Sequence, residues 1–521
     1  MSAGRGVALL LACLAAGRAA PGDGPADVMA RGAAIYHEGA GLSATIAGGA
    51  PLPAPLAACV RCHRPSGHGV SEGDARAPAL AAPVLFAPLA PRRDILLRDL
   101  YQERYGALAK AQARTPRARP AYRGADDLGR ALRAGVDPGG AALSPAMPRY
   151  AISDADLAAL TVWLRGLGAA PDPGWGARTV RFATVIAPDA PPGQAAATLA
   201  VIEAYVARHN REIARERARP GFSPGYKGEY LAARRDWAVD VWRLQGPPEG
   251  WGAQLAAAYA AAPPFALLGG VVPGDWAPVG AFCDAVALPC LFPQTGFPGA
   301  DPRPGAGRWT LHLSAGLPGE AALLAGALAA EGLTRVEIAA GAGAGAQRLA
   351  ALLATTPGVS TAPPFQARAL IMAADEARAA LAAADGAPAP SFAAGGLIAA
   401  PDGGLAPDLA CALRVAWTFA DPGRPDAQRL RARKWLRARR VDDPAWERAQ
   451  LETLLALDAA EHAVIRLVDR PSRAFFVEAV EHLAESGIDP GVYRRFSLGP
   501  GQRVAARGAR MLTPGQDCAA R

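Results

Sequence analysis

"PFALLGGVVPGDWAPVGAFCDAVALPCLFPQTGFP" runs from Pro264 to Pro298. It opens on an unbroken apolar run and turns at Gly269 and Gly270. Helical spacing follows from Asp275 to Val286, and a second apolar run covers Leu288 to Phe292. Strand, small-residue turn, helix and strand in this order make one βαβ unit, whose two strands must lie parallel.

The same grammar continues on both sides. "TVRFATVIA" from Thr179 and "AVDVWRL" at Ala238–Leu244 read as strands, with a long helix from about Pro192 to Arg217 between them. Downstream, the apolar runs "RWTLHLS", "TRVEIAA" and "ARALIMAA" alternate with the helical stretches "PGEAALLAGALAAEG" and "AGAQRLAALLATT". The series is too long for one modest sheet, so two doubly wound lobes are expected.

Upstream of Thr179 the pattern differs. "GAAPDPGWGA", Gly168 to Ala177, reads as a linker rich in Gly and Pro. Between Ala26 and Gly168 the chain reads as helices joined by Gly/Pro loops, with no alternating strand. "ADVMARGAAIYHEG" lies at one end, and "ISDADLAALTVWLRGLG", capped by Ser153 or Asp154, at the other.

The formal charge is +8 over 521 residues. This is read as a slightly basic solvated surface, with no nucleic-acid partner. The N-terminus, "MSAGRGVALLLACLAAGRAAPGDG", has one arginine, a short apolar run and small residues before a Pro/Gly break. Residues 1–20 are read as a secretory signal, and no membrane span is expected. Leu10-Leu11-Ala12-Cys13 also fits a lipoprotein box, so a lipid anchor at Cys13 is the alternative to its removal. The expected location is the periplasm. In an oxidising compartment the distal cysteines are candidates for disulfides. Cys283 and Cys290 are the expected pair; the pairing of Cys411 and Cys518 is left open.

"AACVRCHRPSGHG" starts at Ala57 and sets Cys59, Cys62 and His63 together. C-x-x-C-H is the attachment signal for c-type haem. Two thiols add to the vinyl groups on one edge of the porphyrin, and the adjacent histidine supplies the proximal ligand. Competing readings are half a zinc site, a thioredoxin-like pair and a structural disulfide. No second pair follows at zinc spacing, and the preceding "GGAPLPAPLAA" reads as a loop and not a strand. One covalent haem c is therefore the expected cofactor. Met147, in a loop before the last helix of this region, is the candidate sixth ligand. His37 and His68 are its rivals.

From Ala26 to Leu167 the chain resembles a monohaem class I c-type cytochrome domain, on "RGAAIYHEGAG", "AACVRCHRPSGHGVSEG" and "RALRAGVDPGGAALSPAMPRYAISDADLAALTVWLRGL". The resemblance implies haem on Cys59 and Cys62, with His63 and Met147 as iron ligands. "LLRDLYQERYGALAKAQARTPRARPAY" looks like an insertion in it. From about Thr179 to Gly508 the chain is similar to type 1 periplasmic binding proteins, in the leucine/isoleucine/valine-binding branch. The stretch quoted first carries that likeness, with "YRRFSLGPGQRVAARGARML" near the end. Together these imply an all-α cytochrome c domain (26–168), a linker (169–178) and a two-lobed α/β domain of doubly wound parallel sheets (179–510).

Open α/β sheets bind ligands at the carboxyl ends of their strands. This marks Gly269, Gly270, Gln294, Thr295 and Ser314 as candidate solute contacts. Amino-acid-binding relatives use a hydroxyl at the turn matched here by "GGVVPGDW", which has neither Ser nor Thr. No catalytic constellation is evident: His209, His312, His462 and His482 are scattered, and no G-x-S-x-G occurs. The expected function is single-electron transfer with a periplasmic redox partner protein, coupled to a solute-binding or docking domain. The alternatives are a solute receptor with an accessory or sensing haem, and a haem enzyme with an open distal site.

Overall fold

The computed structural model describes residues 24–46, 49–72, 75–89, 118–218, 234–299, 307–383, 390–420, 427–467, 471–485, 491–506 and 508–514. The signal region with Cys13, most of the insertion and Cys518 lie outside them. The chain divides into two compact units, Met1–Ala169 and Ala170–Arg521.

In the first unit, α1 (Pro25–Glu38) packs against the last helix. Pro25 starts α1, and Gly39 ends it in the left-handed region, with its N–H on Ile35 O at 3.1 Å. Short helices follow in the described chain, among them α2 (Val60–His63) and α3 (Ala125–Ala134). The last is α4 (Asp154–Gly166), where Ser153 Oγ accepts from Asp156 N at 3.1 Å as the N-cap. The α1–α4 crossing is close because Gly32 has no side chain. A Cβ there would stand 2.3 Å from Ala159 O and 2.7 Å from Trp163 Cβ. Arg31 Nε adds a 2.7 Å bond to Asp156 Oδ1. Ile35, Leu128, Leu132, Leu157, Leu160 and Leu164 fill the space between α1, α3 and α4.

The all-helical expectation for this unit is corrected. β1 (Ser43–Thr45), β2 (Pro51–Leu52) and β3 (Arg149–Ala151) form an antiparallel sheet in the order β2-β1-β3. Segments of two or three residues are too short to show alternation in the sequence.

The second unit has two lobes. The first contains β4 (Thr179–Ile186), α5 (Pro192–Ala218), β5 (Asp236–Arg243) and α6 (Trp251–Ala261). It continues with β6 (Ala266–Leu268), α7 (Ala277–Ala285), β7 (Cys290–Leu291) and β8 (Thr310–Leu311). Its strands are all parallel, in the order β8-β7-β6-β4-β5. Counted from the first strand, this is the 2-1-3-4-5 order of a doubly wound sheet. β4 is buried almost throughout, as a parallel strand covered on both faces must be.

The second lobe contains α8 (Gly316–Ala330), β9 (Val336–Ala340), α9 (Ala344–Ala354), β10 (Ala367–Ile371), α10 (Ala374–Ala382), β11 (Ser391–Ala394) and β12 (Arg414–Trp417). β9 to β12 are parallel neighbours in chain order, and β13 (Arg510–Leu512) closes the edge antiparallel to β12. Ser360 bridges Arg335 in parallel on the other edge of β9, and donates to Thr334 O at 2.7 Å. With that bridge counted as a strand, the second lobe repeats the 2-1-3-4-5 order.

The chain crosses between lobes three times. It leaves the first lobe after Leu313. It returns through α11 (Ala427–Ala438) to α12 (Glu447–Arg466) and α13 (Arg473–Glu485), which pack on α5 and β6. Residues 503–505 then pair with His312 before β13 joins the second lobe. A disulfide joins Cys283 at the end of α7 to Cys290 at the start of β7; Cys411 is also disulfide-bonded.

Most of the stretch read as a linker is stitched to the second unit. Trp175 is buried against Phe265, and Asp172 Oδ2 accepts from Arg473 N at 2.6 Å. Gly174 lies at φ 88°, and a Cβ there would meet Phe265 N at 2.1 Å. Replacing Gly32 in the first unit tests the close crossing that sets its core. Gly32→Val should destabilise that unit by about 1–3 kcal/mol, because the added atoms meet backbone that cannot yield. Urea unfolding followed by the fluorescence of Trp163 checks it.

Candidate functional site

Cys59 and His63 stand one helical turn apart, with His63 N on Cys59 O at 2.9 Å. Cys59 is buried, Cys62 is exposed, and both are free thiols, whereas Cys283 and Cys290 are joined. Burial pushes the Cys59 thiol up to about 12. His63 is 7% exposed. Its Nδ1 lies 2.8 Å from Pro78 O. A carbonyl only accepts, so Nδ1 carries the proton and Nε2 keeps its lone pair. Burial lowers the imidazole pKa against the opposing pull of that carbonyl, so the ring is neutral at pH 7. A neutral imidazole with one nitrogen pinned to a carbonyl is the usual form of a metal-ligating histidine.

The surrounding bonds hold this turn in place. Tyr36 OH of α1 donates to Arg64 O at 2.7 Å, and Tyr150 OH of β3 donates to Ala57 O at 3.1 Å. Arg64 itself sits at φ 65°, which turns the chain sharply after His63. Met147 packs on the same apolar cluster as Cys59, so the structure brings the two to one core. Its carbonyl is fixed by Arg149 Nη1 at 2.6 Å. His37 stands at the end of α1 against the Trp163 ring, and His68 N bonds Ser66 Oγ at 3.1 Å. Among the described residues, no group of three or more His, Cys, Asp and Glu side chains is placed to hold a metal ion. A c-type haem asks for a different donor set: one imidazole, and two thiols that bond to carbon. The residues at Cys59–His63 fit that set.

In the second unit the candidate solute contacts are largely engaged within the fold. Gln294 is buried; its Nε2 donates to Ala449 O at 2.9 Å and Thr453 Oγ1 at 3.0 Å, and its Oε1 accepts from Gln194 Nε2 at 2.8 Å. Thr295 Oγ1 donates to Gly274 O at 2.9 Å. Ser314 Oγ accepts from Gly316 N at 3.2 Å. Gly269 and Gly270 lie at φ 62° and 105° in the turn after β6.

The junction of the lobes holds residues that sequence reading passed over. Leu317 stands against three glycine positions: a Cβ at Gly296, Gly345 or Gly396 would lie 3.5, 3.6 or 3.1 Å from its methyls. Phe297 of the first lobe joins the second lobe's core. The Arg348 guanidinium lies 4.1 Å over the Phe297 ring and 2.9 Å from Asp275 Oδ2. Side chains of the protein itself thus fill this part of the space between the strand ends. Glu320 is buried beside them. Its carboxyl accepts from Gly396 N at 2.9 and 3.1 Å and from Thr418 Oγ1 at 3.2 Å, which occupies an amide at the end of β11. A glutamate inside an alanine-rich helix pattern gives no sign of this role in the sequence.

No family model matches the chain, and no curated protein matches it. Solved structures do. A branched-chain amino acid ABC transporter protein from Thermus thermophilus with bound valine is 14% identical, with a TM-score of 0.46 over 65% of this chain and 93% of its own. A substrate-binding periplasmic protein from Ralstonia solanacearum is 17% identical, with a TM-score of 0.43 over 64% and 96%. A type 1 periplasmic binding protein from Bordetella pertussis is 14% identical, with a TM-score of 0.43 over 65% and 98%. The repeated strand order makes the second unit a two-lobed α/β fold of doubly wound sheets, parallel but for one antiparallel edge strand.

Burial outweighs the three hydrogen bonds to Glu320 and pushes its carboxyl up from 4.5 to about 7. The folded chain therefore holds a proton between these values that the unfolded chain releases. The stability contributed is complete below the unfolded value and is lost as pH rises through about 7. Glu320→Gln keeps an acceptor for Gly396 N without the charge. It should flatten the loss, a change on the order of a few kcal/mol, in urea midpoints measured from about pH 5 to about pH 8.

Proposed function

We propose that the chain is an exported single-electron carrier. One haem c is held covalently by Cys59 and Cys62 in the first unit, and the second unit is of the solute-binding type. The observation that carries this reading is His63: buried, neutral, pinned through Nδ1 to Pro78 O, and one turn from a thiol that stays free. When bound, haem c supplies a one-electron ferric/ferrous couple. The chain's own residues do the rest. Pro78 orients the imidazole, Tyr36 and Tyr150 lock the attachment turn, and the α1–α4 core excludes water from one side of it. Met147 is the sixth-ligand candidate on the same core, and a thioether there favours reduced iron. A periplasmic protein able to give or take one electron is the implied partner. No helix among the described residues is long and apolar enough to cross a membrane.

A second reading has its own support. Two lobes that repeat one switch-point order and are joined by three crossings suit closure around a small solute, with haem as sensor or accessory. The similar solved structures include one with bound valine. The "GGVVPGDW" turn without a hydroxyl and the Leu317 packing favour a solute other than a free amino acid, or a docking role.

Expression with export and haem maturation separates the readings. The wild type should keep haem through denaturing electrophoresis, and Cys59→Ser or Cys62→Ser should lose most of it. Met147→Ala should remove the weak near-red thioether-to-iron band and lower the potential. An unchanged spectrum would assign the sixth position elsewhere, and a wild-type band without haem would leave the receptor reading. A rise in melting temperature with valine or leucine would then identify that solute class by mass action.

A further inference from the structure

The overall charge conceals a strong local concentration. From Ala427 to Arg440 the sequence carries seven Lys or Arg and no Asp or Glu, against +8 for the whole chain. The reading of the surface as evenly and slightly basic is corrected at this helix. α11 turns its apolar side inward: Leu436 is buried, and Ala432 and Trp435 pack on the second unit's core. Two of its arginines turn aside to one buried carboxylate. Arg429 Nε lies 2.7 Å from Glu447 Oε1, and Arg433 Nη2 lies 2.5 Å from Glu447 Oε2.

The outward face that remains is Leu430, Arg431, Lys434 and Arg437, with Arg440 just beyond the helix; all five are exposed. Spacings of three and four residues align them in one stripe. Arg437 has one carboxylate nearby, Asp442 at 3.8 Å. Among the described residues no ion pair reaches Arg431, Lys434 or Arg440. Arg439 lies 4.1 Å over the Trp435 ring; burial, with Arg208 and Arg211 of α5 nearby and Glu212 opposing them, lowers its pKa. Like charges three and four residues apart on a helix destabilise it, so a stripe of this kind is relieved by an anionic surface.

We propose that this face docks on a bilayer surface rich in anionic lipid, with Arg431, Lys434, Arg437 and Arg440 taking the head-group phosphates and Leu430 entering the interface. Leu430, 49% exposed at the N-terminal end of the stripe, is the feature that favours lipid over an acidic protein. Trp435, the helix's one aromatic, is turned toward the core, which removes the exposed ring that single-stranded nucleic acid would stack on. The cations act as a juxtamembrane basic segment does.

Sedimentation of the full chain with vesicles tests this, using phosphatidylcholine alone and an equimolar mixture with phosphatidylglycerol. The wild type should bind the mixture, not the neutral vesicles, and salt should weaken it. R431E/K434E/R437E should reduce binding on the order of a hundredfold. L430S should reduce it several-fold while leaving the charge unchanged. R178E/R243E/R335E changes net charge equally at exposed positions outside the stripe, and should bind like the wild type. Far-UV dichroism and the melting temperature confirm that each variant is folded. No binding to the mixed vesicles, or equal loss in the two triple variants, overturns the proposal. Stripe-dependent retention on immobilised polyglutamate without vesicle binding overturns it in favour of an acidic protein partner.

Discussion

A buried imidazole has two nitrogens to satisfy, and among the described residues the hydrogen bonds of His63 satisfy Nδ1 alone, through Pro78 O. That bond fixes the tautomer and the ring orientation, and burial lowers the imidazole pKa against the pull of the carbonyl. The rest of the first unit serves it. Gly32 lets α1 approach α4, which brings Tyr36 to the carbonyl after His63. β3 carries Tyr150 to the carbonyl before Cys59 and lies just past Met147. The small sheet thus holds the loop that carries Met147 in register with the chain before the Cys59–His63 turn.

The second unit is organised by a different constraint, the need to cover both faces of two parallel sheets with one chain. Repeated crossing solves it, since α12 and α13 come from the far end of the sequence to cover the first lobe's sheet. The helices are held there by Tyr205, which bonds Asp458 and Glu461, and by Arg473, which bonds carbonyls from Pro264, Val286 and Ala287. The cleft that this architecture creates is filled in part by Leu317 and Phe297, and its amide at Gly396 is taken by Glu320. Architecture and cleft chemistry therefore point in different directions: two doubly wound lobes, with the polar groups between them turned inward.

Periodicity made much of the second unit legible. Apolar runs at Thr179, Ala238 and Pro264 became strands, and the helices between them fell where their spacing put them, because parallel strands and their crossover helices carry strong local patterns. The C-x-x-C-H reading is open to the sequence because its spacing is local, and it stands as the proposal above. What stayed hidden depends on distant partners. Nothing marks Pro78 as the carbonyl that meets His63, Gln294 as a tie to α12, or Glu320 as a plug on Gly396. Trp175 was read as part of a linker because its neighbours are Gly and Pro, yet its ring is core. The basic stripe of α11 was open to view, but the near balance of charge across the chain averaged it away.

Peptide mass mapping of the protein matured in an exporting host tests the central claim most directly. The account predicts that the peptide containing Cys59, Cys62 and His63 carries the added mass of one haem, with both thiols consumed. A peptide without that mass, whether its thiols are free or joined in a disulfide, would contradict the account and leave the first unit without its electron-transfer role.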